Sequence, residues 1–297
     1  PSDSTAWQTG GGTVWHTPAV DPDLGLIYFS TGNPGPDYNG AIRAGDNLFT
    51  ASIVAIDAYT GEYRWHFQQV HHDIWDYDAP NPVVLFDLEY DGVPRKGLAQ
   101  AGKTGWVYIL DRVTGEPLVG IEERAVPQEP RQATAATQPF PVGDPFVTQT
   151  LDIPPEGFDL TNQGKIFTPF WDEPILLKRG EANWPPSTVD PAKGYMYVCA
   201  GERQAAYSTQ TDTDLASSGD RYTGGSMRFA PVPTTGVVAA VNLRDNKVVW
   251  SQRWSSRCYS GLVASAGGLV FAGRNDGRFT AIDSENGRKL WEFMTDA

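Results

Sequence analysis

Ala55-Ile56-Asp57-Ala58-Tyr59-Thr60-Gly61-Glu62-Tyr63-Arg64-Trp65 is the stretch that decides the fold. It reads as a strand running to Asp57, a tight turn carrying Thr60-Gly61, and an outer strand presenting Trp65 eight positions after the Asp. The pattern recurs. Ala240-Val241-Asn242 leads to Trp250 and Ala281-Ile282-Asp283 leads to Trp291, each Trp again eight positions on. Tyr108-Ile109-Leu110-Asp111-Arg112-Val113-Thr114-Gly115 keeps strand and turn but has Val119 where the Trp falls in the other copies. Asn242 and Asp283 stand 41 residues apart, which suits one four-stranded propeller blade. This repetition predicts an all-β chain, a β-propeller of four-stranded Trp-motif blades. About five blade-equivalents are expected, in one domain over residues 1–297.

The surrounding sequence agrees. Leu26-Ile27-Tyr28-Phe29, Trp106-Val107-Tyr108-Ile109-Leu110 and Gly268-Leu269-Val270-Phe271 read as strands, and Asn275-Asp276-Gly277 is a hairpin signal. The 31 Gly, 23 Pro and 10 Trp fit many turns around an aromatic core, not a helical bundle. A net charge of −13 argues against a nucleic-acid partner, because phosphate backbones need a basic surface. No apolar run reaches the roughly 18 residues needed to span a bilayer, so no transmembrane segment is expected. Neither Pro1 nor Asp296-Ala297 reads as a natural terminus. The spacing of Cys199 and Cys258 neither requires nor excludes a disulfide, and no metal-binding Cys pattern occurs. Two stretches escape the repeat, residues 34–50 and roughly 119–180, both rich in Gly and Pro. The first lies beside the densest polar motif and is expected to be functional; the second is expected to be a surface excursion.

That motif is Trp65-His66-Phe67-Gln68-Gln69-Val70-His71-His72-Asp73-Ile74-Trp75-Asp76-Tyr77-Asp78. Clustered carboxylates repel one another unless a cation, a proton or an Arg or Lys neutralises them. In an extended segment Asp76 and Asp78 point to the same side and can reach one hard cation. A solvated acidic turn accounts for the spacing equally well. Asn33, in Ser30-Thr31-Gly32-Asn33-Pro34, is held extended by the following Pro, so its amide can be aimed at a ligand; an ordinary Asn-Pro turn is the alternative. Lys103 opens a strand, where it is either solvated or, in a cleft, placed to stabilise charge on a ligand oxygen. Trp15 follows Gly10-Gly11-Gly12 and on its own reads as a core residue.

In order along the chain stand the glycine run with Trp15, Thr31-Gly32-Asn33-Pro34, Gly45-Asp46-Asn47, His72-Asp73-x-Trp75-Asp76, Lys103, Leu110-Asp111-Arg112 and Asn183-Trp184-Pro185-Pro186. Together they resemble the alcohol and glucose dehydrogenases that use pyrroloquinoline quinone (PQQ). The resemblance implies an eight-bladed propeller with the quinone near its axis and a metal ion beside it. It gives Asp76 the role of catalytic base and makes Asn33 a metal ligand. Lys103 takes the place of a residue hydrogen-bonded to the reactive quinone carbonyls, Trp15 that of the ring stacked on the quinone, and Asn183 that of a cofactor contact. Asp78, two residues after Asp76, resembles the extra Asp of lanthanide-dependent members, and glucose dehydrogenases also show Trp-Asp-x-Asp. Asp76 and Asp78 are thus expected to share a lanthanide(III) or Ca²⁺ ion. An alcohol or sugar substrate, a cytochrome c or quinone electron acceptor and a periplasmic location follow from the same resemblance. The family's metal-binding Glu and adjacent-cysteine disulfide lie upstream of these motifs, so the isolated chain is expected to have little activity. The competing reading is a non-catalytic propeller scaffold of the outer-membrane assembly type. That scaffold needs the repeats but not Asn33, Asp76 and Lys103 together.

Overall fold

The computed structural model describes residues 10–151, 154–158, 160–212 and 221–296. Its ordered elements are antiparallel strands and two short 3₁₀ turns, with no α-helix among the described residues. Strands β1 (Ala19–Asp21), β2 (Leu26–Ser30), β3 (Ser52–Asp57) and β4 (Tyr63–Gln68) pair in chain order as one four-stranded sheet. Strands β5 (Val84–Tyr90), β6 (Val93–Ala101) and β7 (Val107–Asp111) form a second, and β8 (Ile121–Ala125) pairs β9 (Thr137–Pro141) as a hairpin. In the largest sheet β10 (Ile175–Glu181), β12 (Tyr195–Thr209), β14 (Thr235–Asn242) and β15 (Lys247–Trp254) lie side by side. There β11 (Thr188–Asp190) and β13 (Gly225–Phe229) also pair with β12. Strands β16 (Leu262–Ala264), β17 (Leu269–Gly273), β18 (Arg278–Asp283) and β19 (Lys289–Met294) complete the set. The described residues form five sheets, of which only the first and last are plain four-stranded blades.

The repeat has a mechanical meaning. In all three Trp copies the register slips by one residue at the same place: after Ala55, after Ala240 and after Ala281. Such a bulge re-aims the side chains of the outer strand, and it sets Trp65, Trp250 and Trp291 opposite those alanines. Trp65 then docks on the turn of the next sheet, where its Nε1 donates to the Arg112 carbonyl at 3.2 Å. Trp250 repeats the contact, donating to the Ser284 carbonyl at 3.0 Å. Both turns carry a glycine with positive φ, Gly115 and Gly287, and a Cβ added to either would lie 2.6 Å from the docked ring. A Gly is required there on both counts. Val119 cannot make this contact. At that sheet boundary Asp144 N–H donates to the Asn246 carbonyl at 2.9 Å instead. Trp291 is 50% exposed, and no turn among the described residues covers it.

Residues 119–180 are not a surface excursion. Phe140, Phe167 and Phe170 are buried in one cluster with Trp75, Tyr77 and Tyr207, and Trp75 Nε1 donates to the Thr168 carbonyl at 2.9 Å. The stretch has too many aromatic side chains to lie in water, and it folds over the polar motif. Cys199 of β12 is bonded to Cys258 ahead of β16, with Cα atoms 5.5 Å apart, which ties the largest sheet to the last. No helix among the described residues is long and apolar enough to cross a membrane.

Candidate functional site

The segment leaving β4 is not extended, contrary to the sequence expectation. Asp73 Oδ1 accepts from the Trp75 N–H at 2.8 Å, and His72 and Asp76 take left-handed φ values of 46° and 59°. These local bonds turn the chain back on itself. Arg179 of β10 then holds it in place, donating to the Trp75 carbonyl at 2.7 Å and the Asp76 carbonyl at 2.8 Å. Trp75 and Tyr77 stack 5.8 Å apart in the core beneath. Aromatic burial thus positions Asp76 and Asp78, rather than strand alternation.

The two carboxylates still meet, on Lys103. Its Nζ lies 2.9 Å from Asp76 Oδ1 and also contacts Asp78 Oδ1. Asp76 Oδ2 accepts from Arg179 Nη2 at 2.7 Å, and Asp78 Oδ2 accepts from Trp15 Nε1 at 3.1 Å. Lys103 is buried, not solvated, and Trp15 is 47% exposed, not a core residue. Burial alone pushes the Asp76 carboxyl up, but the charges of Lys103 and Arg179 outweigh it and hold the group below its ordinary value. For Asp78 burial wins: together with repulsion from Asp76 it lifts the carboxyl despite Lys103. Lys103 in turn is held above its ordinary value by the two carboxylates, against its burial. Asp73, fully buried and repelled by both neighbours, is pushed up to about 7.

Asn33 is half-buried and donates to the Pro34 carbonyl at 3.4 Å. Burial and the nearby Asp76 raise the carboxyl of Asp37, while a bond to Asn33 lowers it, so Asp37 joins this neighbourhood unforeseen. Asn183 Oδ1 accepts from the Trp184 N–H at 2.9 Å, and its carbonyl accepts from Asn81 at 2.8 Å. Trp184 and Trp15 both line a cavity of about 490 Å³, together with His16, Thr17 and Pro18. Arg179 was missed from the sequence as well. Its signal was the charged run Lys178-Arg179-Gly180-Glu181 directly following the apolar Ile175-Leu176-Leu177.

Asn33, Asp76 and Asp78 present only oxygen acceptors for a cation, which suits a hard ion. Asp78 Oδ1 is buried, and among the described residues the Lys103 ammonium is the only cation in contact with it. These residues fit an oxygen-bound cation. Among the described residues no three His, Cys, Asp or Glu side chains meet as a ready ligand cluster.

Comparison with known proteins decides the family. The profile described as glucose/ethanol/alcohol dehydrogenase, beta-propeller domain, matches residues 1–229. The chain belongs to the PQQ-dependent glucose/ethanol/alcohol dehydrogenase family. This PQQ-family chain is 32% identical to a quinohemoprotein alcohol dehydrogenase of Pseudomonas putida, over 98% of its own length and 40% of the relative's. It is 31% identical to the lanthanide-dependent methanol dehydrogenase of Methylorubrum extorquens, over 97% and 47%. The solved structure of a europium-containing methanol dehydrogenase superposes with a TM-score of 0.72 at 26% identity, covering 98% of this chain and 48% of that one. The chain thus spans less than half the length of these relatives. A second profile, outer membrane protein assembly factor BamB, matches residues 199–297, the part with two of the Trp repeats.

Proposed function

We propose that the protein carrying this chain oxidises the hydroxyl group of a small alcohol or sugar, with Asp76 as the base. The observation that carries this reading is the Asp76–Lys103–Asp78 arrangement buried beside Trp15. When bound, PQQ supplies the hydride acceptor and a lanthanide(III) or Ca²⁺ ion polarises the accepting carbonyl.

The chain's own residues divide the rest of the work. Asp76 is held ionised by Lys103 and Arg179 and is the most exposed of the triad, at 21% of its side chain. It can therefore meet a substrate O–H and take its proton. Lys103 donates hydrogen bonds to an oxygen on which negative charge develops. Asn33, Asp76 and Asp78 would hold the ion, and a second carboxylate beside Asp76 would favour a trivalent one. Trp15 offers a flat apolar face, and Asn183 holds the Trp184 N–H, Trp184 lining the same cavity. The aromatic core under residues 72–78 fixes these groups relative to one another, which is how a site holds reactants in register. The lanthanide-dependent and europium-containing relatives support the metal reading. Electron transfer to a cytochrome c or quinone, and a periplasmic location, belong to the same proposal.

A non-catalytic scaffold is favoured by one observation only, the assembly-factor profile over residues 199–297, a region that excludes Asn33, Asp76 and Lys103. Metal-dependent reconstitution separates the readings. The full-length protein, loaded with PQQ and either La³⁺ or Ca²⁺, should bind the quinone and reduce a dye when alcohol is added. Loss of La³⁺-supported activity in Asp78→Ala assigns Asp78 to the ion. Ca²⁺-supported activity that survives the substitution discards the lanthanide assignment. Failure to bind the quinone with either ion leaves the scaffold.

A further inference from the structure

Charges collect on both faces of strand β10, and one of those faces leads to the site. Side chains alternate along a strand, so Arg179 and Glu181 stand on one face and Lys178 on the other. In the register of β10 with β12, Arg179 lies opposite Arg203, Glu181 opposite Gly201 and Gly180 opposite Glu202. One face therefore carries Arg179, Glu181 and Arg203, and the other carries Lys178 and Glu202. Both carboxylates are buried among cations: Glu181 meets Arg179, Arg203 and Arg257, and Glu202 meets Lys178 and Arg253.

Arg179 and Arg203 repel one another, as like charges do when placed directly opposite on paired strands. Burial, with repulsion from Arg257 and Arg179, holds Arg203 below its ordinary value even beside Glu181. Glu181 offsets the repulsion. Its Oε1 lies 3.4 Å from Arg179 Nε, and its Oε2 lies 3.6 Å from Arg203 Nη1 and 2.9 Å from Arg257 Nη2. Gly201 leaves room for this, since a Cβ there would lie 3.2 Å from both Glu181 Oε2 and Arg257 Cγ. The other edge of Arg179 faces the site. Nη1 donates to the Trp75 carbonyl at 2.7 Å and the Tyr207 hydroxyl at 2.9 Å. Nη2 donates to the Asp76 carbonyl at 2.8 Å and to Asp76 Oδ2 at 2.7 Å. Its Nε makes no hydrogen bond among the described residues, so on that edge the guanidinium is held by the charge of Glu181. A guanidinium is a rigid plane, so a shift at Nε moves all four bonds on the far edge.

We propose that Glu181 is a positioning residue for the base: it holds Arg179 against the repulsion of Arg203, and Arg179 in turn holds Asp76. The inference rests on the dehydrogenase reading above. Glu181 touches no reacting atom and acts through Arg179 alone. Without its charge Arg179 is driven away from Arg203, and the main-chain turn at Trp75 and Asp76 loses its clamp.

The test uses the full-length protein and its Glu181→Gln, Arg179→Gln and double variants. Glu202→Gln is the control, because it removes an equally buried carboxylate from the other face of the same strand pair. Two readouts are taken: kcat and KM for alcohol-dependent dye reduction with PQQ and La³⁺ or Ca²⁺, and amide hydrogen exchange over residues 72–78 without quinone or metal. Glu181→Gln should lower kcat about tenfold or more, with KM changed less than about twofold, as expected of a base moved out of register. Exchange over residues 72–78 should quicken in the same variant. Glu202→Gln should match the parent in both. In the Arg179→Gln background, Glu181→Gln should bring no further loss, because the residue through which it acts is gone. Parent-like kcat and exchange in Glu181→Gln, losses that multiply in the double variant, or an equal fall in Glu202→Gln would each overturn the proposal. Should Glu181→Gln fail to fold, Glu181→Asp keeps the charge but draws it back from Arg179 by one methylene. The same losses in smaller measure are then expected, and parent-like kcat and exchange overturn the proposal. A parent without turnover overturns the dehydrogenase reading, while the exchange rates still decide whether Glu181 holds the turn through Arg179.

Discussion

Three glycines at equivalent turns offer an internal test of how the sheets interlock. Gly61, Gly115 and Gly287 have φ values of 74°, 80° and 76°, so alanine is strained to the same degree at each. That strain is worth about 1–2 kcal/mol. The surroundings differ. Nothing lies within 4 Å of a Cβ built on Gly61, whereas a Cβ on Gly115 or Gly287 would sit 2.6 Å from the indole of Trp65 or Trp250. An ordinary carbon contact is about 3.5–4 Å, so the ring must retreat by about 1 Å from a packed position. Overpacking of this kind costs a further 1–3 kcal/mol or so. Gly61→Ala should therefore destabilise by about 1–2 kcal/mol, and Gly115→Ala and Gly287→Ala by about 2–5 kcal/mol. Urea titration of the 297-residue chain, followed by tryptophan fluorescence, reads the midpoints. Equal losses at all three positions would refute the docking of each Trp on the turn of the next sheet.

Other consequences follow from the buried charges and the cross-link. Asp73 has a folded-state value of about 7 against an ordinary 3.8, so the folded chain binds its proton more tightly than the unfolded one. Its contribution is greatest below pH 4 and is lost as pH rises towards 7, by up to about 4 kcal/mol. Asp73→Asn keeps an acceptor for the Trp75 N–H, so it should stabilise the protein at pH 8 but not at pH 4; an equal loss at both would contradict the reasoning. Lys103→Gln leaves two buried carboxylates without their shared cation and should cost about 3–5 kcal/mol in a denaturant titration, partly restored by La³⁺. Reduction of Cys199–Cys258, which are 59 residues apart, should cost about 4 kcal/mol, read as a lower melting temperature in dithiothreitol.

The sheets were legible because the repeat writes strand, turn and docking residue at fixed offsets. The pairing of Asp76 and Asp78 was legible for a partly wrong reason. Their spacing suggested an extended segment, whereas a left-handed Asp76 over a Trp75–Tyr77 stack brings them to Lys103. Residues 119–180 misled because irregular backbone rich in Gly and Pro looks alike whether it lies in water or caps a core. Only the partners Trp75 and Tyr207, far away in sequence, decide between the two. Arg179 and Glu181 escaped notice for the same reason. Their meaning lies in contacts across 76 to 103 residues, which no local pattern records. The Cys199–Cys258 bond was equally silent, since spacing carries no distance.

The most direct test of the central claim is alcohol-dependent dye reduction by the full-length protein reconstituted with PQQ and La³⁺ or Ca²⁺, beside Asp76→Asn. The account predicts turnover in the parent and its near-complete loss in the variant, with quinone binding retained. Turnover that persists in Asp76→Asn would remove Asp76 as the base, and with it the central claim.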